Sequence, residues 1–169
     1  MNSNKWDDRF MRLAAFVAAW SKDPSTKCGA VVARGNRVLG LGYNGFPPAI
    51  PDHANLLEVR EQKYARVIHA EVNAIFDAFQ KGQDLKGSTL YSFPPGLAPS
   101  CERCAAHIIA AGISRVVWYQ EDTEMSRRWN PETSLAMYRE AGVELVPLIV
   151  PDPWKWIVER AVHGGTEDG

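Results

Sequence analysis

Apolar residues recur at spacings of three and four through residues 6–20, where Phe10, Leu13, Ala14, Val17 and Trp20 share one side of a helical period. That stretch predicts an amphipathic helix packed against the rest of the fold. The pattern then changes to two short apolar runs, residues 28–33 and 38–42, rich in valine and leucine and joined by Arg34-Gly35-Asn36-Arg37. Runs of this kind around a Gly-Asn turn predict two antiparallel strands in a hairpin. Residues 46–52 are mostly proline and alanine around Ile50, which predicts an ordered loop with little regular structure, and a helical pattern resumes near Leu56.

The second half alternates between the two periods. Helices are predicted over residues 67–80, 101–111 and 134–141, and strands over 89–93, 115–120 and 143–150. Gly82, Gly112 and Gly142 follow the three helices, where a left-handed residue ends a helix without strain. Alternation of this type implies an α/β fold with three layers, α/β/α, around a five-stranded mixed sheet. Residues 1–150 are expected to form the domain. Residues 151–169 form a C-terminal tail in which Trp154, Trp156 and Ile157 mark a short docked helix, and residues 164–169 are expected to be disordered.

Charge and composition narrow the function. A net charge of −1, from 19 basic and 20 acidic residues, leaves no basic stripe for gripping a long nucleic acid, so a small substrate is favoured. At 169 residues with 46% hydrophobic content the chain suffices for one domain with a proper core. No apolar stretch of signal or membrane length is seen at the start, and Trp6-Asp7-Asp8-Arg9 places charge there, so a cytoplasmic protein with no membrane partner is expected. Three cysteines, two of them spaced as metal ligands, leave Cys28 without an evident disulfide partner, in keeping with a reducing compartment.

Chemistry concentrates in two segments, His69-Ala70-Glu71 and Cys101-Glu102-Arg103-Cys104. They supply three zinc-type ligands and one carboxylate that need not be a ligand, and three ligands leave the open position that a catalytic zinc needs. Cys101 and Cys104, three apart, share one face of a helix that starts near Cys101, where the helix N-terminus also favours thiolates. His69 and Glu71, two apart, would point in opposite directions on a regular helix. They can cooperate only if His69 lies at an irregular helix start, which the β-branched Val67 and Ile68 favour. Glu71, its pKa raised by an enclosed site, would then carry protons for a water activated at the metal. Taken singly the segments have plainer readings: a thiol redox pair at Cys101 and Cys104, or a structural zinc site completed by Cys28. Cys28 is more simply a small buried strand residue.

H-x-E followed by P-C-x-x-C is the signature of the zinc-dependent nucleobase deaminases, and the chain resembles that superfamily. One departure stands out. The order is Pro99-Ser100-Cys101, so a serine separates the proline from the first cysteine, and Ser100 is expected to act as the helix N-cap in its place. Further segments resemble the deoxycytidylate (dCMP) deaminase branch: residues 21–27, Gly42-Tyr43-Asn44-Gly45-Phe46-Pro47, residues 69–75 and residues 108–113. Together they span most of residues 6–146.

That resemblance implies a cytidine-deaminase-like fold, one catalytic Zn2+ per subunit held by His69, Cys101 and Cys104, and Glu71 as the proton shuttle in hydrolysis of dCMP to dUMP and ammonia. It also implies that Asn44 holds the sugar hydroxyl, as an amide can both donate and accept. Lys22 and Lys27, with Ser25 and Thr26 as neutral donors, are the candidate phosphate contacts. Tyr119 is a candidate to stack on the pyrimidine, packing being the plainer reading of an aromatic at a strand end, and Ala70, between ligand and acid, joins the substrate contacts. His53 and His107 are expected to be ordinary. Within the superfamily the rival readings are deaminases of cytidine, guanine or tRNA adenosine; outside it, a non-catalytic zinc-containing nucleotide sensor. Regulation by dCTP and dTTP through the 46–52 loop stays open, as does a lid at Arg127, Arg128 and Trp129. A homo-oligomer is expected, with Trp154 and Trp156 as candidate contacts among the six tryptophans.

Overall fold

The computed structural model describes residues 5–96, 99–121 and 130–149. Trp154, Trp156 and Ile157, and the segment Arg127-Arg128-Trp129, lie outside the described residues, so the expectations placed on them are not addressed by the fold.

The chain runs α1 (Lys5–Ala18), β1 (Gly29–Arg34), β2 (Arg37–Tyr43), α2 (Ala54–Glu58), α3 (Arg60–Arg66), α4 (Ala70–Gln80), β3 (Thr89–Gly96), α5 (Glu102–Ala110), β4 (Arg115–Gln120), α6 (Glu132–Glu140) and β5 (Glu144–Leu148). The five strands form one mixed sheet in the order β2-β1-β3-β4-β5, with β1 antiparallel to β2 and β3, and β3, β4 and β5 parallel. The hairpin turn after β1 uses Gly35 at φ 60°, a left-handed value that glycine adopts without penalty. Pro147 sits within β5, an edge strand, where a missing N–H leaves no ladder bond unmade inside the sheet.

Two apolar layers cover the sheet. On one face α4, α5 and α6 bury Ala74, Ile75, Cys104, Ala105, Ile108 and Tyr138 against Ala30, Val32, Leu90 and Val116. On the other, Phe10, Met11 and Ala14 of α1 pack on Val31, Ala33, Tyr91 and Val117. Alternation along β1 explains the split, since Ala30 and Val32 face one layer while Val31 and Ala33 face the other.

Glycines of β1 and β2 set how closely the helices approach the sheet. A Cβ on Gly42 would lie 2.3 Å from the Ala70 carbonyl oxygen and 2.3 Å from the Ala74 nitrogen, so α4 rests directly on the β2 backbone. On the opposite face, a Cβ on Gly29 would lie 2.1 Å from the Ala14 oxygen, which seats α1 against β1 in the same way.

Two expectations are corrected. The helix expected from residue 67 starts at Ala70, because Val67, Ile68 and His69 are extended and Ile68 exchanges two backbone hydrogen bonds with Gly45. The helical pattern expected near Leu56 is present, as two short helices of which the second, α3, is mostly polar. Ser100 is not the N-cap of α5: Cys101 holds that position, without a side-chain cap, and the Ser100 hydroxyl is engaged elsewhere.

Candidate active site

The starts of α4 and α5 meet beside the start of β1 and the end of β2. His69 is the residue before α4, with extended backbone at φ −71° and ψ 156°. Its position is fixed by the Gly45–Ile68 bridge, in which Gly45 donates to Ile68 (3.1 Å) and Ile68 to Gly45 (2.8 Å), and by Asn73 Nδ2 donating to the Tyr43 carbonyl (2.8 Å). Being off the helix, His69 is freed from the helical angle that would have turned it away from Glu71. Cys101 plays the corresponding part before α5, at φ −71° and ψ 165°, and Cys104 follows within the first turn.

These three side chains converge. His69 Nδ1 lies 3.5 Å from Cys101 Sγ and 3.3 Å from Cys104 Sγ, and the three candidate ligand atoms all fall within 4.8 Å of one another. Ligands at ordinary zinc distances around a tetrahedron stand about 3.6 Å apart, so nitrogen and sulfurs are already near coordination spacing. Two thiols and one imidazole, the softer end of the biological ligand set, fit zinc, and the same triad leaves a fourth direction for a small molecule. Cys28 is not part of this group among the described residues. It precedes β1, packs at the edge of the core, and its N–H donates to Asn44 Oδ1 at 2.7 Å. The reading of Cys28 as a fourth structural ligand is therefore set aside.

Glu71 lies one helical step past Ala70, buried, with Cys104 Sγ donating to its Oε2 at 3.7 Å. It stands beside the triad without belonging to it. Burial pushes its carboxyl above the usual range, outweighing the opposite pull of His69. The Cys101 thiol is brought down to about 4 by its side-chain interaction with Cys104, with His69 adding to that effect against burial. Cys104 moves up through its close pairing with Cys101 and through burial. His69 is raised by its bond to Cys101 despite being half-buried. Of the two thiols, Cys101 is the one drawn toward the thiolate form that a metal ligand needs.

Among the remaining sequence candidates, Asn44 stands one residue before the Gly45–Ile68 bridge and is itself fully braced. Its Nδ2 donates to the Thr26 carbonyl (2.9 Å) and to Asp23 Oδ2 (3.4 Å), while Oδ1 accepts from Cys28. Both amide protons are engaged, so what Asn44 retains for a ligand is an acceptor lone pair, not the donor-and-acceptor pair expected from its amide. Ser25 neighbours this network, and its hydroxyl accepts from Lys63 Nζ at 3.2 Å. Lys27 Nζ donates to the Ser21 carbonyl, and Lys22 is exposed in an ion pair with Asp52 (2.8 Å). Neither lysine is brought to the triad. Ala70 is buried beneath Gly42 at the first position of α4. Tyr119 packs in the layer on the other face of the sheet, its ring 5.9 Å from that of Phe93 and nearly parallel to it. A depression flanked by Lys22, Asn44, Phe46, Pro47 and Val67 lies on the Asn44 side and contains none of the triad.

Two residues of the site escape sequence reasoning. Lys63 is buried between Asp23 Oδ1 (3.2 Å) and Ser25, yet nothing along the chain separates it from Arg60 or Arg66 on the same short helix. Tyr138 is fully buried behind α5, its hydroxyl 2.7 Å from Ser100 Oγ. Along the chain it is only one residue of the helix predicted over 134–141, with nothing to name its partner.

Residues 4–120 match the profile of the family described as cytidine and deoxycytidylate deaminase zinc-binding region. The chain is 40% identical over 146 residues to an uncharacterized deaminase in the luxG 3' region of Aliivibrio fischeri, covering 84% of this chain and 92% of that protein. It is 37% identical over 149 residues to the deoxycytidylate deaminase of Mus musculus, covering 82% and 77% respectively. In fold it is similar to the dCMP deaminase of cyanophage S-TIM5 solved with dCMP and dUMP, at a TM-score of 0.69 and 23% identity, over 88% of this chain and all of that one.

Proposed function

The chain belongs to the cytidine and deoxycytidylate deaminase family, with a zinc ion as its cofactor, and on that footing we propose that it hydrolyses dCMP to dUMP and ammonia. The observation that carries the reading is the buried Glu71 carboxylate, 3.7 Å from Cys104 Sγ and outside the ligand triad. A structural zinc site or a redox pair has no use for such a group in that place, whereas deamination requires one.

His69, Cys101 and Cys104 would hold the ion. Zinc bound there supplies Lewis-acid chemistry, bringing the pKa of a water from 15.7 to about 7. Glu71 does the rest of the proton work. As the water oxygen bonds to the ring carbon bearing the amino group, Glu71 takes one water proton and hands it to the ring nitrogen. It next takes the remaining hydroxyl proton and delivers it to the amino group, the carbon–nitrogen bond breaks, and ammonia leaves as the carbonyl forms. Two protons pass through one carboxyl in sequence, which favours a pKa drawn up toward neutrality, and burial of Glu71 acts in that direction.

For substrate recognition, Asn44 offers its free lone pair to a sugar hydroxyl, and the 21–27 loop, with Ser25 backed by Lys63, lies next to it for the phosphate. Relatives named deoxycytidylate deaminase support the pyrimidine nucleotide over guanine or a tRNA adenosine. No described helix is long and apolar enough to cross a membrane. The three free cysteines support a cytoplasmic placement, and a homo-oligomer belongs to the same proposal.

Ammonia release from dCMP, CMP, deoxycytidine, cytosine, dCTP and guanine, measured on zinc-loaded protein beside Glu71→Gln, tests this reading. Turnover of dCMP that disappears in Glu71→Gln while zinc stays bound is the expected result. Turnover of another base with dCMP inert would overturn the substrate, and full activity in Glu71→Gln would overturn the mechanism.

A further inference from the structure

The superfamily signature has a proline directly before the first cysteine ligand, and a proline ring restrains the backbone there by itself. Here that residue is Ser100. A serine imposes no such restraint, so the extended backbone of Cys101 needs another source of rigidity.

The Ser100 hydroxyl supplies it through two contacts. Its Oγ lies 3.1 Å from the Cys101 carbonyl oxygen, to which it donates, and 2.7 Å from the hydroxyl of Tyr138. A serine hydroxyl carries a single proton. With that proton on the Cys101 carbonyl, the proton between Ser100 and Tyr138 has to come from the phenol. The chain of donation therefore runs from Tyr138 O–H to Ser100 Oγ, and from Ser100 O–H to the Cys101 carbonyl. The same carbonyl accepts from the Ala105 N–H at 2.9 Å, the first bond of α5. It is thus held from two helices, by α5 directly and by α6 through Ser100. Tyr138 has no freedom to drift, being fully buried in the layer that also contains Cys104, Ala105 and Ile108.

We infer that Tyr138 and Ser100 work as one unit, positioning residues that fix the Cys101 backbone and so aim its sulfur at the metal held with His69 and Cys104. The inference rests on the reading of those three residues as the ligand set. Neither hydroxyl touches substrate. Their effect is on how firmly and at what angle one thiolate is presented, as expected of groups that orient a metal ligand from behind.

The test uses the full chain with Ser100→Ala, Tyr138→Phe, the double variant, and Ser134→Ala as a control. Ser134 lies one turn earlier on α6, buried, with its hydroxyl on the Pro131 carbonyl and no link to Cys101. Zinc affinity is measured by competition with a chelator, and ligand geometry by the thiolate-to-metal and d–d absorption of the cobalt-substituted protein. Each single substitution is expected to weaken zinc binding about tenfold and to shift the cobalt bands. The double variant should bind no more weakly than either single one, and Ser134→Ala should leave affinity and spectrum as in the wild type. Unchanged affinity and bands in both single variants would overturn the inference, as would losses that multiply in the double variant. Should Tyr138→Phe fail to fold, Ser100→Ala decides by the same criteria. A wild-type chain that binds no metal would instead overturn the ligand set, and this inference with it.

Discussion

Arg115 of β4 grips Asp7 of α1 with both guanidinium arms, Nη1 to Oδ1 and Nη2 to Oδ2, each at 2.8 Å, across 108 residues of chain. Tyr91 of β3 donates to the same carboxylate at 2.8 Å. One buried acid near the start of the chain thereby ties α1 to two central strands. A two-pronged pair of this kind is more specific in geometry than a surface ion pair.

From that pair follows a pH dependence. Burial pushes the Asp7 carboxyl up, but hydrogen bonds from Arg115 and Tyr91 together with the Arg115 charge outweigh it and hold it below the usual range. A lowered folded-state pKa means the contribution is full above the unfolded value, about 3.9, and is lost as pH falls through the folded value. Asp7→Asn should cost about 3 kcal/mol at neutral pH, since it leaves Arg115 without its buried partner. Urea denaturation of both proteins at a series of pH values should show this gap closing only below about pH 4. A gap that persists undiminished at lower pH would contradict the assignment.

Gly42→Ala should damage both fold and site. The new methyl would meet backbone atoms of Ala70 and Ala74, neither of which can rotate away, so α4 must lift from β2. Overpacking of this kind costs about 1–3 kcal/mol. Because His69 and Glu71 ride at the start of that helix, zinc affinity and turnover should fall together, whereas Gly35→Ala in the open hairpin turn should affect stability alone. Paired measurements of thermal midpoint and zinc affinity distinguish the two.

Lys63→Met removes the cation buried between Asp23 and Ser25. Asp23 would keep the backbone N–H groups of Ser25 and Thr26 but lose its counter-charge, at a cost of about 3 kcal/mol. Because Asp23 also receives Asn44 Nδ2, the Asn44 network loosens while the triad stays in place. Steady-state kinetics should show KM rising more than kcat falls, with zinc content unchanged. A pure loss of kcat would place Lys63 closer to the chemistry than the geometry does.

Cysteine substitutions separate ligand from bystander. Cys104→Ala should abolish zinc binding, and Cys28→Ala should retain one ion per chain, as Cys28 contributes a core contact and a backbone N–H that alanine keeps. Metal analysis of the two purified proteins reads this directly.

Wherever local pattern and tertiary environment agree, the sequence was sufficient. The alternation of periods foretold five strands and the main helices, because burying one face of a strand or helix imposes spacing on neighbours in the chain. His69, Glu71, Cys101 and Cys104 were legible because side chains that serve one site from a helix start lie within a few residues of one another. It was also deducible that His69 had to leave the helical path, since two residues two apart cannot otherwise meet. What held it there was not: the bridge from Ile68 to Gly45 and the Gly42 contact join segments more than twenty residues apart.

Only the tertiary structure decided the partners of the polar groups. Asn44 reads in the sequence as an amide free for a sugar, and in the fold both its protons are engaged by Asp23 and Thr26. Lys63 reads as one more surface cation on a polar helix, and in the fold it is buried against Asp23. Ser100 reads as a cap, and instead links Tyr138 to Cys101. The physical reason is common to all three. Apolar burial is non-directional and leaves a periodic trace along the chain, while a hydrogen bond or ion pair depends on a single atom arriving within about 3 Å from a distant segment, which no local pattern records.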